Sequence, residues 1–252
     1  WASGNVGTTA LATLALLGDG HRSTGGTHRE AVTRAQAWLK SRQGANGAFD
    51  EDPYTHALAT IASIEDLAFG AADKADTAEA RKVVESAVDF CRTSQLEDGS
   101  WGPMQATAKS CEALRLAKAL GVKKCEIPIE RAKAYLAQNM PEKSYRRPSW
   151  LAWRVACAWT STPYESDDSG KGDYETEYGG EWRVPPLRWL AFEERFISSM
   201  EPPAEWTDAA KAQLATGAWA SFGHTDDETS ATALTLLILE SPYRVARLPR
   251  AK

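Results

Sequence analysis

Cysteine is scarce in this 252-residue chain: Cys91, Cys111, Cys125 and Cys157 stand far apart and form no C-x-x-C pair. Structural zinc sites rest on such close pairs, so the expectation is four buried free thiols, with one disulfide as the alternative. Histidine is equally sparse. His21, His28, His56 and His224 make no ligand pair readable in the sequence, and neither a metal nor a cofactor is expected. Long apolar runs are missing as well; a stretch such as Leu236 to Leu239 falls far short of a membrane span. Positive charge is in deficit, with 29 basic against 34 acidic residues and a net charge of −5. A surface that neutralises nucleic-acid phosphates needs the opposite balance, so no nucleic-acid partner is expected. No segment alternates like a strand, and no Walker loop, dinucleotide fingerprint, G-x-S-x-G or H-E-x-x-H motif occurs. The chain opens on Trp1 instead of Met, which leaves processing or export open and the compartment unassigned.

What is present is an ordinary globular balance, 43% hydrophobic and 25% charged, with an unusual ten tryptophans. One pattern recurs. Gln43, Gly47 and Phe49, then Gln95, Gly99 and Trp101, then Gln213, Gly217 and Trp219 share the spacing Q-x3-G-x-aromatic. The interval between the second and third copies has room for one or two degenerate copies. Upstream of each of the first two copies lies an amphipathic helix, marked by Ala31, Ala35, Trp38 and Leu39, then by Val84, Ala87, Val88 and Cys91. Downstream of all three lies a more apolar helix, over 54–68, 104–120 and 227–240. The glycine is expected to end the first helix and the ring to cover the turn. Further helices are expected over 5–17, from Pro128 to Met140, over 149–160 and from Pro186 to about Met200. Polar-faced and apolar helices thus alternate, which predicts an all-α protein of helical hairpins in two concentric layers.

With its aromatic-aliphatic residues four positions before the glutamine, the pattern resembles the QW motif of the squalene–hopene cyclase family. The first copy matches best, through Arg34, Ala35, Trp38, Leu39, Gln43, Gly47 and Phe49. The apolar close from Ala233 to Glu240, followed by Tyr243 and Arg244, is similar to the end of bacterial prenyltransferase and squalene-oxidase-repeat proteins. The resemblance implies a single α/α-toroid domain over 1–252, complete or slightly open, with an acidic aromatic loop inserted at about 161–185. It also implies that the turns deliver the N-termini of the inner helices to one mouth. Asn5, Thr8, Tyr54, His56, Gln105, Trp150, Trp153, Asp226 and Asp227 would then surround it. The plainer alternative makes Thr225 or Asp226 a helix cap, Tyr54 and Trp150 covers of the core, and His56 a satisfied histidine.

The catalytic signatures of such toroids fit poorly. A cyclase acid of the D-x-D-D-T-A type has its best counterpart at His224 to Thr229, where His224 replaces the first aspartate and Glu228 is inserted. Glu165, Asp167 and Asp168 keep the acidic spacing but precede Ser-Gly. The zinc dipeptide of prenyltransferases has a counterpart in Asp89 and Cys91, on what should be an outer helix, and the Cys-Gly-Glu-Gln thioester run is absent. The expectation is therefore a binding or interaction module, taking an apolar or isoprenoid ligand or a partner segment at an aromatic cavity or mouth. An enzyme on isoprenoid substrates and an accessory subunit of a larger assembly are the alternatives. Residues 165–181 hold seven acids against Lys171, interleaved with Tyr174 and Tyr178, and could dock a protein partner.

Overall fold

The computed structural model describes residues 4–70, 74–141, 148–163, 213–216, 218 and 229–237. The described residues are helical with no strand; a lone bridge pairs Arg22 with Gly25. The helices are α1 (Val6–Gly18), α2 (Arg29–Arg42), α3 (Pro53–Gly70), α4 (Lys74–Thr93), α5 (Met104–Ala119), α6 (Glu126–Gln138), α7 (Pro148–Thr160) and α8 (residues 229–237). The apolar-face arithmetic of the sequence places nearly all of them to within two or three residues. Pro128 is the informative departure. It does not open α6 but sits third in it, which costs nothing because the first-turn N–H groups have no partner inside the helix.

The helices sort into two kinds. α5 buries eleven of its 16 residues and α1 eight of 13, whereas α2 buries only Val32, Ala35 and Leu39. The heavily buried α1, α3, α5 and α7 pack in sequence, each on the next. The others flank that row: α2 on α1, α4 on α3 and α5, α6 on α5 and α7. Gln36 of α2 also reaches α3, donating from Nε2 to Ala62 O at 3.0 Å. One continuous core runs through the row, from Leu14 through Leu58, Ile61 and Leu114 to Leu136. Ala233, Leu234 and Leu237 of α8 belong to the same core. Ser230 of α8 lies against the first turn of α1, its Oγ 2.9 Å from Thr8 Oγ1.

The connecting turns explain the sequence repeat. In all three copies the residue after the glutamine donates its N–H to the carbonyl four positions on: Gly44 to Ala48, Leu96 to Ser100 and Leu214 to Ala218, at 2.8, 2.9 and 2.8 Å. A side-chain oxygen three residues after the glutamine closes each loop, through Asn46, Asp98 and Thr216. Gln43 Nε2 donates to its own Gly47 O at 3.1 Å and to Val83 O of α4 at 3.0 Å. Gln95 Nε2 repeats this with Gly99 O at 2.9 Å and Pro128 O of α6 at 2.8 Å. Each glutamine thus clamps its loop onto the next flanking helix, not onto the N-terminus of the helix that follows. The amide NH2 finds carbonyls there, whereas a helix N-terminus offers N–H groups that only the amide oxygen could accept.

Nor does the glycine end the preceding helix, since α2 and α4 stop before their glutamines. Gly47 and Gly99 have φ of +89° and +94°, and a Cβ on either would lie 2.1 Å from Ser86 O or 2.5 Å from Arg131 O. Only glycine allows both that backbone and that approach. Gly217 and Trp219 of the third copy lie outside the described residues.

Candidate functional site

The first turns of α1 and α3 meet, and Ser230 of α8 adjoins α1. Gly7 of α1 faces Thr55 of α3, whose Oγ1 would be 3.5 Å from a Cβ at position 7, while Thr8 meets Ser230 of α8. Local chemistry fixes these turns: Asn5 Oδ1 accepts from Thr8 N at 3.1 Å, and Asp52 Oδ2 accepts from Thr55 N at 2.8 Å. Tyr54 is half-buried in the first turn of α3 and packs on the core. Gln105 is half-buried in the first turn of α5.

His56 lies one residue further along α3 than Thr55 but points elsewhere, and is 1% exposed. Its Nδ1 accepts from Phe49 N at 3.2 Å, and its Nε2 lies 3.0 Å from Ala87 O, which fixes Nε2 as the protonated nitrogen. Phe90 meets its ring edge-on, at 4.7 Å between centroids. Burial lowers its pKa to about 4, against the smaller opposing pull of the Ala87 carbonyl and Asp50. The ring is therefore a neutral strut between the first loop, α3 and α4. In the second repeat Thr107 takes the same post, its Oγ1 accepting from Trp101 N at 3.1 Å.

Trp153 is also interior, at 3% exposure, and its indole donates to Leu136 O at 2.9 Å. Trp101 does the same to Cys91 O at 2.7 Å. Both indoles bond the last turn of a preceding flanking helix, so Trp153 serves the α6–α7 pair as Trp101 serves α4–α5. Trp150 belongs to α7 by its backbone, and its side chain lies outside the description. Asp226, Asp227 and the acidic segment 165–181 lie outside the described residues altogether.

The sequence reading passed over the charges inside α5. Lys109 Nζ lies 2.8 Å from Glu112 Oε2, the two side chains being 0% and 8% exposed. Gln105, Lys109 and Glu112 follow a helical spacing of four and three, so one stripe of α5 runs from the half-buried first turn into the interior. Arg154 of α7 is buried as well. The signal was a lysine and a glutamate three apart on the face of α5 away from its exposed end at Lys118, which means little until that face is known to be buried.

The four thiols are free and buried. Desolvation pushes Cys91 and Cys157 up to about 12 and Cys125 up to about 11, and raises Cys111 further still. Among the described residues no three acidic, histidine or cysteine side chains gather into a ready metal centre, and no helix is long and apolar enough to cross a membrane. The chain matches no protein-family model, no curated protein and no solved structure.

Proposed function

We propose that this chain is an α/α toroid of the squalene-cyclase and prenyltransferase repeat type, serving as a binding module rather than an enzyme. The observation that carries the reading is the meeting of the first turns of α1 and α3 at Gly7 and Thr55, with Ser230 of α8 against Thr8. A row of helices in which two first turns meet, with α8 brought back beside α1, suits a ring with a mouth. Two-tier packing and the loop geometry shared by three repeats support it. Tyr54, half-buried in the first turn of α3, and Gln105, half-buried in the first turn of α5, would offer an apolar ring and an amide to an apolar ligand or partner segment. His56 is committed to three elements and the thiols are held protonated by burial, which favours binding over chemistry.

The test is to purify the native protein, extract it, and identify bound lipid by mass spectrometry, with metal analysis alongside. Recovery of an isoprenoid or other apolar molecule, and its loss in Tyr54→Ala, is the expected result. Incubation with squalene or a linear prenyl diphosphate should return substrate unchanged. Turnover that disappears in Asp227→Asn would replace this reading with a cyclase.

A further inference from the structure

We propose that the loop joining α1 to α2 binds a divalent transition ion of the zinc type through the imidazoles of His21 and His28, with Asp19 orienting His21. The two rings lie 4.7 Å apart between centroids with their planes at 84°. With metal–nitrogen bonds of about 2.0–2.1 Å, two imidazoles on one ion have centroids about 4.5 Å apart at a right angle and about 5.2 Å apart at the tetrahedral angle. The observed separation falls between these values. Seven residues of chain, curled back through the Arg22–Gly25 bridge, bring the rings to that spacing.

The surroundings agree. Asp19 Oδ2 lies 3.0 Å from His21 Nε2, the arrangement by which a carboxylate fixes the tautomer of a metal-binding histidine and frees its other nitrogen. Gly26 packs beside that ring, where a Cβ would stand 2.7 Å from Nδ1, so only glycine fits there. Two residues also break the rules of their own helices. Asp19 is the C-cap of α1, where the negative end of the helix disfavours a carboxylate. His28 is the N-cap of α2, a post that favours Ser, Thr, Asp or Asn, and its side chain makes no capping bond. Both residues cap their helices through the backbone alone, with neither side chain bonded to its own helix. The nearby positive group, Arg22, turns its Nη1 onto the carbonyls of Leu17 and His21. Two imidazoles with water in the remaining positions select zinc, copper or nickel over magnesium and calcium.

Isothermal titration of the full chain with zinc chloride, in a non-chelating buffer near neutral pH with the thiols kept reduced, tests this. Wild type should take up one zinc per chain, and magnesium should give no heat. His28 is exposed, so His28→Ala leaves the fold intact, and it should weaken zinc at least tenfold. Wild type that binds no zinc, or a His28→Ala protein that binds as tightly as wild type, would overturn the assignment.

Discussion

A single buried histidine carries a pH dependence whose sign follows from its environment. The folded pKa of His56 is lowered from 6.5 to about 4, so the unfolded chain takes up its proton first. The stabilisation is complete above pH about 6.5 and is lost as pH falls toward 4, amounting to about 3 kcal/mol in all. Denaturant unfolding from pH 7 to 4 should show this loss. His56→Gln, which keeps one acceptor and one donor, should flatten that part of the curve. The thiols give a second prediction at this scale. A water-soluble aromatic disulfide reagent should modify none of the four cysteines in the native protein and all four after unfolding, because burial holds each as a thiol. Rapid modification of any one in the native state would contradict the packing. Free burial of the cysteines was legible in their spacing. The role of His56 was not, because its partners Phe49 and Ala87 are brought to it from two other elements.

Turns and helices obey a stricter rule than the repeat spelling suggests. The first two loops each lay a glycine against a carbonyl of the next flanking helix, and their glutamines reach the carbonyl three residues before that one: Val83 and Ser86, Pro128 and Arg131. Gly99→Ala should therefore destabilise the protein by more than the ~1 kcal/mol typical of lost backbone freedom, since Arg131 O stands 2.5 Å from the new methyl. Gln95→Ala removes two hydrogen bonds and should cost about 1–3 kcal/mol. Trp101→Ala, at a site 2% exposed, should cost about 3–5 kcal/mol by calorimetry or denaturant melts. An unchanged melting temperature in Trp101→Ala would refute the view of the turn as a clamp. The three-copy spacing was visible because glycine and glutamine are demanded by geometry at fixed positions. The clamp's far side was not, since Val83 and Pro128 are 40 and 33 residues away and contribute only main-chain oxygens. The meeting of His21 and His28 was hidden for a similar reason, being created by the path of a glycine-rich loop. The buried Lys109–Glu112 pair escaped notice because charge in a helix ordinarily marks its solvent face.

For the whole molecule, alternation of polar-faced and apolar segments was enough to predict a two-tier helical protein, since apolar faces must be covered and flanking helices cover them. Closure is a different matter, because it depends on whether α8 returns to α1. Proposed as a toroid, the chain must hold α8 beside α1 in solution, and the hydroxyls of Thr8 and Ser230, 2.9 Å apart, mark the seam. That distance puts the two Cβ atoms near the ~3.5–4.5 Å that a disulfide requires. The most direct measurement is oxidation of the double variant Thr8→Cys with Ser230→Cys, followed by non-reducing electrophoresis and peptide mapping. A closed ring predicts rapid intramolecular cross-linking of these two residues, with the four native thiols untouched. Failure to cross-link, or bonds only between separate molecules, would contradict the closure on which the binding mouth depends.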